Sequence, residues 1–287
     1  MVNVMRKLLA IGAVVVAVGT WAAAIDGVQL PNDPASLKFA AIGDNGTGDR
    51  PEYEVAQQMA LAHDAFPFEL VIMLGDNLYG RQEPADFVTK FERPYAALLQ
   101  GGVLFFASLG NHDDQKNRFY KGFNMGGERY YTYKRKTVRF FVLDSNQMDP
   151  KQLSWLDDTL KASDDVWKIA YFHHPLYSDA GRHGPDVQLR VALEPILVRY
   201  GVNVVFSGHE HVYERIKPQK GITYFIDGSG GQLRKGDMNP SAQTAASFDQ
   251  DQTFMLVEVG GDELHFQTIS RTGRTVDAGV VPRRQTS

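Results

Sequence analysis

Residues 70–79 read Leu-Val-Ile-Met-Leu-Gly-Asp-Asn-Leu-Tyr, an apolar run that ends abruptly in glycine, carboxylate and amide side chains. A short unbroken run of apolar residues is typical of a strand that is buried on both faces. The polar residues that follow it then lie just beyond the carboxyl end of that strand. This combination recurs along the chain and predicts the fold.

Strand-like and helix-like segments alternate over most of the sequence, which predicts an α/β sandwich. The predicted strands are 39–42, 70–74, 103–108, 140–143, 169–172, 202–206 and 224–226, and the predicted helices are 52–62, 85–99, 152–160 and 187–199. Near the end, 254–259 and 264–269 flank Gly260-Gly261-Asp262 and predict a β-hairpin. Since no repeat or composition break divides them, we expect one domain over 37–282, between a linker at 25–36 and a flexible tail at 283–287.

Composition excludes several classes of function. The chain has 287 residues and a formal net charge of −4, which argues against a nucleic-acid partner because such proteins usually present a basic face. It contains no cysteine, so a metal site would use only oxygen and nitrogen ligands.

The amino terminus has the layout of a secretory signal peptide over 1–24. Arg6 and Lys7 precede an apolar run, and alanines at 22–24 form a small-residue cleavage site. An uncleaved anchor is the alternative, since the apolar stretch at 8–25 approaches the roughly 20 residues that span a membrane. We therefore expect a secreted or periplasmic protein, or one anchored by this segment, with no other membrane contact.

Five predicted strand ends carry potential metal ligands, and in an open α/β sheet such ends are where ligands bind. The fragments are Gly43-Asp44-Asn45-Gly46, Gly75-Asp76-Asn77-Leu78-Tyr79, Gly110-Asn111-His112-Asp113, His173-His174-Pro175 and Gly208-His209-Glu210-His211. Carboxylate, amide oxygen and imidazole together suit Fe, Mn or Zn better than calcium.

Each fragment has a simpler interpretation when taken singly. Gly-Asp is common in turns, and a histidine at a strand end is often a hydrogen-bonded core residue. His209 and His211 lie two apart, so they share a face on an extended segment and can reach one metal, or they can belong to a solvated loop. The simpler interpretations would have to hold at all five places, which favours a metal site.

In this order the fragments resemble the calcineurin-like metallophosphoesterases, and among these the small single-domain purple acid phosphatases of the tartrate-resistant type. Most members of the superfamily carry a histidine two residues after the first aspartate, where this chain has Gly46. Tyr79, three residues after Asp76, matches the tyrosinate by which purple acid phosphatases replace that ligand. The resemblance implies a four-layer α/β/β/α sandwich of two mixed sheets.

The resemblance also implies the roles of the site residues. Asp44, Tyr79 and His211 would bind Fe(III); Asn111, His173 and His209 would bind a divalent Fe, Zn or Mn ion; and Asp76 would bridge the two. His112 and His183 match the family's substrate-facing histidines, with His174 a weaker candidate and Asp113 expected to orient His112. The implied activity is acid phosphatase hydrolysis of small phosphate monoesters, by direct attack of a metal-bound hydroxide, in a protein expected to be monomeric.

Two other functions are open at this point. A phosphodiesterase or nucleotide hydrolase can use the same metal core, although Gly46 together with Tyr79 weighs against it. A secreted metal-binding or phosphate-binding protein without turnover is the other alternative, and the presence of both His112 and His183 weighs against that one.

Overall fold

A computed structural model describes residues 27–284, which form two β-sheets packed face to face. Within these residues the first sheet has six strands in the order β13-β12-β11-β1-β2-β3 and the second has seven in the order β10-β8-β9-β7-β6-β5-β4. The first sheet comprises β1 Leu37–Ile42, β2 Leu70–Met73, β3 Leu104–Ala107, β11 Thr253–Gly260, β12 Glu263–Ser270 and β13 Thr275–Pro282. The second comprises β4 Tyr131–Arg135, β5 Val138–Val142, β6 Trp167–Tyr171, β7 Val204–Ser207, β8 Tyr213–Gln219, β9 Ile222–Asp227 and β10 Thr244–Phe248.

Both sheets are mixed, with a parallel part that points all its carboxyl ends in one direction. In the first sheet β1, β2 and β3 are parallel, and β1 pairs antiparallel with β11. In the second sheet β5, β6, β7 and β9 are parallel neighbours. The predicted hairpin is present as β11 and β12.

The helices cover the outer faces of the two sheets. They are α1 Arg50–Ala65, α2 Pro84–Phe87, α3 Ala96–Gln100, α4 Pro150–Lys161 and α5 Val187–Arg199, together with a π-helical turn at Val88–Glu92. Short 3₁₀ helices lie at Gln115–Phe119 and Lys121–Phe123. One buried cluster lies between the sheets, a second lies between the first sheet and α1, and a third lies between the second sheet and the pair α4 and α5. The predicted four-layer α/β/β/α sandwich is therefore confirmed.

Most predicted elements are confirmed with small shifts at their ends, but 85–99 is not one helix. It divides into α2, the π-helical turn and α3. Pro94 lies at the second break, where its ring and missing N–H interrupt the helical hydrogen bonds. The sequence analysis also missed β4, β8, β10 and β13, which lie at or near sheet edges and carry mixed polar and apolar residues.

The predicted signal peptide at 1–24 lies outside the described residues, and so does the tail beyond 284, so export stays a prediction. Among residues 27–284 there is no helix with the length and apolar character needed to span a membrane. The described part of the predicted linker lies against the body of the domain. Val28 and Leu30 pack on the outer cluster of the first sheet, and the carboxylate of Glu258 accepts the backbone N–H groups of Asn32 and Asp33 at 2.7 and 2.6 Å.

Substitution of Phe39 tests the contact between the sheets. Its buried ring on β1 packs against Phe140 and Phe206 of the second sheet, at centroid distances of 5.4 and 6.0 Å. Phe39→Ala should lower the free energy of unfolding by about 3–5 kcal/mol, since it opens a cavity between rigid layers. Urea unfolding followed by circular dichroism measures this. Phe119→Ala, at a side chain that is 62% exposed, should cost less than about 1 kcal/mol. Equal losses for the two variants would contradict the described core.

Candidate metal centre

The candidate site lies where the carboxyl ends of β1, β2, β3, β6 and β7 come together, at the same end of both sheets. The loops after these strands bond to one another. The backbone N–H of Asp44 donates to the carbonyl of Gly75 at 3.0 Å, and that of Gly208 donates to the carbonyl of His173, also at 3.0 Å. The backbone N–H of His209 crosses between the sheets to Asp44 Oδ2 at 2.8 Å. The two-sheet architecture thus brings together fragments that are distant in sequence.

Three of the predicted ligands adopt a left-handed backbone. The φ angles of Asp44, Asp76 and His209 are 52°, 52° and 69°. Residues other than glycine rarely occupy this region, and each instance costs about 1 kcal/mol or more. Such strain clusters at functional sites, and here it turns the chain sharply at the strand end.

The three residues predicted to bind Fe(III) are in mutual contact. The hydroxyl of Tyr79 donates to Asp44 Oδ1 at 2.9 Å and lies 3.1 Å from His211 Nε2. His211 Nε2 is also 3.3 Å from Asp44 Oδ1. Tyr79 therefore points into the cluster, not toward the apolar core.

The three residues predicted to bind the divalent ion form a second group beside the first. His173 Nε2 lies 3.0 Å from Asn111 Oδ1 and 3.2 Å from His209 Nδ1. The other nitrogen of His173, Nδ1, lies 3.0 Å from the carbonyl oxygen of Leu74, which fixes the ring orientation.

Asp76 lies between the two groups. Its Oδ1 atom is 3.5 Å from His173 Nε2 of the second group. Ligand atoms of Asp44, Asp76 and His173 all lie within 4.8 Å of one another. The structure thus brings all seven predicted ligands together, with Asp76 where a bridging ligand would be, and their roles as ligands stay predictions.

The electrostatics of the cluster favour bound cations. Burial and the nearby Asp76 raise the pKa of Asp44 well above its usual value, and burial together with Asp44 and Asp76 raises the pKa of Tyr79. Burial and the neighbouring imidazoles lower the pKa of His209 to about 2, and burial and Arg234 lower that of His211 to about 4. The imidazoles are therefore neutral near pH 7 and keep the lone pairs that a metal needs.

The donor set fits metal ions of the Fe, Mn or Zn kind. It contains carboxylate, phenol and amide oxygens and imidazole nitrogens, with neighbouring donor atoms 2.9–3.5 Å apart. Ligands about 2.1 Å from one ion lie at about this separation from each other. His173 Nε2 and His209 Nδ1 face each other at 3.2 Å, which is unfavourable for two lone pairs unless a proton or cation lies between them.

Two glycines are required by the close packing around the carboxylates. A Cβ atom on Gly110 would lie 2.1 Å from Asp76 Oδ1, and one on Gly208 would lie 2.4 Å from Asp44 Oδ2. Any larger residue would push a predicted ligand out of place. This gives a physical reason for glycine before Asn111 and before His209.

Asp113 does not play the predicted role of orienting His112. Its carboxylate instead accepts the backbone N–H of Gly110 at 2.9 Å, that of Leu78 at 3.1 Å and the side-chain amide of Asn77 at 2.8 Å. Asp113 therefore ties the loop after β2 to the loop after β3, and so fixes Asp76 relative to Asn111.

The two predicted substrate-facing histidines lie beside different predicted ligands of the cluster. The exposed ring of His112 is 4.8 Å from the ring of Tyr79, and its backbone N–H donates to Asp76 Oδ1 at 2.8 Å. The ring of His183 stacks on that of His209 at 4.3 Å. His174 lies closer to the ligands than the sequence indicated, 4.4 Å from the His209 ring, and its Nδ1 is 2.9 Å from Ser145 Oγ.

The sequence analysis missed Arg234 and gave no role to Glu210. Arg234 Nη1 lies 3.4 Å from His183 Nδ1 and 3.5 Å from Glu210 Oε2. Arg234 follows the glycine-rich segment 228–231, which contains no carboxylate or imidazole, so the sequence did not indicate that this part of the chain lies near the site. Glu210 was visible between His209 and His211, but the role of a residue between two ligands depends on where its side chain turns.

Several acid phosphatases resemble this chain over most of its length. Tartrate-resistant acid phosphatase type 5 of Rattus norvegicus is 26% identical over 303 aligned positions, covering 88% of this chain and 92% of the relative. Purple acid phosphatase 17 of Arabidopsis thaliana is 25% identical over 250 positions, covering 74% of each protein.

Solved structures share the fold at lower identity. Purple acid phosphatase PPD1 from yellow lupin seeds superposes with a TM-score of 0.70 at 18% identity, covering 88% of this chain and 55% of that one. GAP50, described as the anchor in the inner membrane complex of Plasmodium, superposes with a TM-score of 0.75 at 17% identity, covering 87% and 90%. At these identities the likeness shows the fold alone.

The family itself follows from the sequence match. The profile of the family described as Calcineurin-like phosphoesterase covers residues 37–213, which contain every predicted metal ligand and both predicted substrate-facing histidines. Because this match spans more than half of the chain, the protein belongs to the calcineurin-like phosphoesterase family, and its curated relatives are tartrate-resistant and purple acid phosphatases.

Proposed function

We propose that this protein is a metal-dependent acid phosphatase that hydrolyses small phosphate monoesters with one ferric and one divalent ion. The observation that carries the proposal is the hydroxyl of Tyr79, which lies 2.9 Å from Asp44 Oδ1 and 3.1 Å from His211 Nε2. A phenolate is a hard anionic donor that suits Fe(III). The acid phosphatases among the relatives support the monoester over the diester as substrate.

Two bound cations would neutralise the phosphate and supply a hydroxide nucleophile. The chain itself sets the geometry of the site. Asp113 fixes the loops of Asp76 and Asn111, and Leu74 fixes the ring of His173. His112 and His183 lie beside the cluster, where each imidazole can donate a hydrogen bond to a phosphate oxygen or a proton to the departing alcohol.

Substrate preference tests the monoesterase assignment. Purified protein supplied with iron and zinc should cleave p-nitrophenyl phosphate with a higher kcat/KM than bis(p-nitrophenyl) phosphate, and chelation of the metals should abolish both activities. Absorbance of released p-nitrophenol measures the rates. A higher kcat/KM for the diester would favour the phosphodiesterase alternative, and metal-loaded protein with no turnover of either ester would favour the binding protein.

Tyr79→Phe tests the ferric site by spectroscopy. The iron-loaded protein should absorb visible light through a tyrosinate-to-iron charge transfer, and removal of the Tyr79 hydroxyl should abolish that band. The matched control is Tyr131→Phe, because the hydroxyl of Tyr131 donates to the carbonyl of Ala107 at 2.7 Å, outside the cluster. Its visible spectrum should equal that of the wild type. A band that persists in Tyr79→Phe would contradict the assignment of the phenolate.

His112→Ala tests the substrate-facing role. The variant should lower kcat for p-nitrophenyl phosphate by about 100-fold, since general acid or hydrogen-bond assistance of this kind is worth about 10²–10⁴. Its metal content, measured by plasma mass spectrometry, should match that of the wild type because the His112 ring is not a predicted ligand. His265→Ala, at a histidine paired with Glu263 on β12, is the control and should not change the rate. An unaltered kcat in His112→Ala would remove this residue from the mechanism.

A further inference from the structure

Glu210 is a fully buried carboxylate that lies between two predicted ligands in sequence but turns away from the cluster. Its Oε1 atom accepts the backbone N–H of His183 at 3.1 Å and that of Gly184 at 2.7 Å. Its Oε2 atom has no hydrogen-bond partner among the described residues, and Arg234 Nη1 is the nearest cationic atom, at 3.5 Å. The strongest contacts of this side chain are therefore with the loop that carries His183.

The loop at 181–185 has few other means of holding its position. Its first three residues, 181–183, are exposed, so none of them buries an apolar side chain that would hold the segment in place. Beyond Glu210, the backbone N–H of Gly181 donates to the carbonyl of Asp237 at 2.8 Å, that of Arg182 donates to Asp237 Oδ2 at 3.3 Å, and Arg234 Nη1 lies 3.4 Å from His183 Nδ1. The bonds from two N–H groups to one buried carboxylate oxygen connect the backbone at 183–184 to the residue that follows His209.

The connection has a direct effect on where the His183 ring lies. That ring stacks on His209 at a centroid distance of 4.3 Å, with an angle of 26° between the planes. Because Glu210 directly follows His209 in the chain, the hydrogen bonds that its carboxylate accepts fix the backbone of His183 relative to the predicted ligands.

We propose that Glu210 is a positioning residue, which holds the backbone of His183 so that its imidazole faces the substrate beside the metal centre. The proposal rests on the proposed function, in which His183 assists the reaction. It assigns to the residue between His209 and His211 a task different from metal binding.

A double-mutant cycle tests whether Glu210 acts through His183. Glu210→Ala should lower kcat for p-nitrophenyl phosphate by about 10- to 100-fold, as expected when a catalytic group is misplaced. Glu210→Ala combined with His183→Ala should be no slower than His183→Ala alone. Glu210→Gln keeps one oxygen acceptor for the two N–H groups and should restore most of the rate. Multiplication of the two single effects in the double variant would overturn the proposal.

A second measurement needs neither metal nor turnover. Trypsin should cut metal-free Glu210→Ala after the exposed Arg182 faster than it cuts the wild type or Glu210→Gln, with the new amino terminus at His183 identified by mass spectrometry. The matched control is Glu258→Ala. Glu258 is equally buried and its carboxylate also accepts hydrogen bonds from two backbone N–H groups. It lies on β11 opposite Lys38 of β1, at the end of β1 that is remote from the site. It should leave cleavage after Arg182 and kcat unchanged.

These outcomes separate the two proposals. An unchanged rate of cleavage after Arg182 in Glu210→Ala would overturn the positioning role whatever the activity. Faster cleavage in that variant, together with a metal-loaded wild type that hydrolyses neither ester, would support the anchoring of the loop by Glu210 and overturn the proposed function.

Discussion

The burial of Asp44 and Asp76 a few ångströms apart is the constraint on which the rest of the site depends. Two carboxylates cannot both stay ionised in such a place without compensation, and in the free protein burial raises the pKa of each. Partial compensation comes from the backbone N–H groups of His209 and His112 and from the Tyr79 hydroxyl. A pair of metal cations would supply the remaining positive charge.

The two sheets share the work of holding this charge. The first sheet supplies the carboxylates, the phenol and Asn111 from the ends of β1, β2 and β3, and the second supplies His173, His209 and His211 from the ends of β6 and β7. The apolar layer between the sheets, in which Phe39 meets Phe140 and Phe206, sets the distance between the donors of the first sheet and those of the second. The stability of the core and the spacing of the donors are therefore coupled.

Fold and chemistry have to be argued separately in this family. The same architecture occurs in a purple acid phosphatase from lupin and in a Plasmodium protein described as an anchor, both below 20% identity to this chain. The side chains at the carboxyl ends of the strands have to distinguish the possibilities. Here the phenol of Tyr79 lies in the cluster, and the rings of His112 and His183 lie beside it. The proposal of monoester hydrolysis depends on those side chains and on the acid phosphatases among the relatives.

The sequence by itself determined the alternation of strands and helices and the set of seven potential ligands. A buried strand such as 70–74 can be predicted because it is an unbroken run of apolar residues. Potential ligands such as Asp76 and His173 can be predicted because they directly follow such runs in the sequence. Edge strands such as β4 and β13 were missed because their mixed residues acquire strand structure only by pairing with a neighbour. Only the tertiary structure decided the partners of Asp113, Glu210 and Arg234. The direction in which a carboxylate turns depends on which backbone N–H groups lie within reach, and loops from distant parts of the chain bring those groups together.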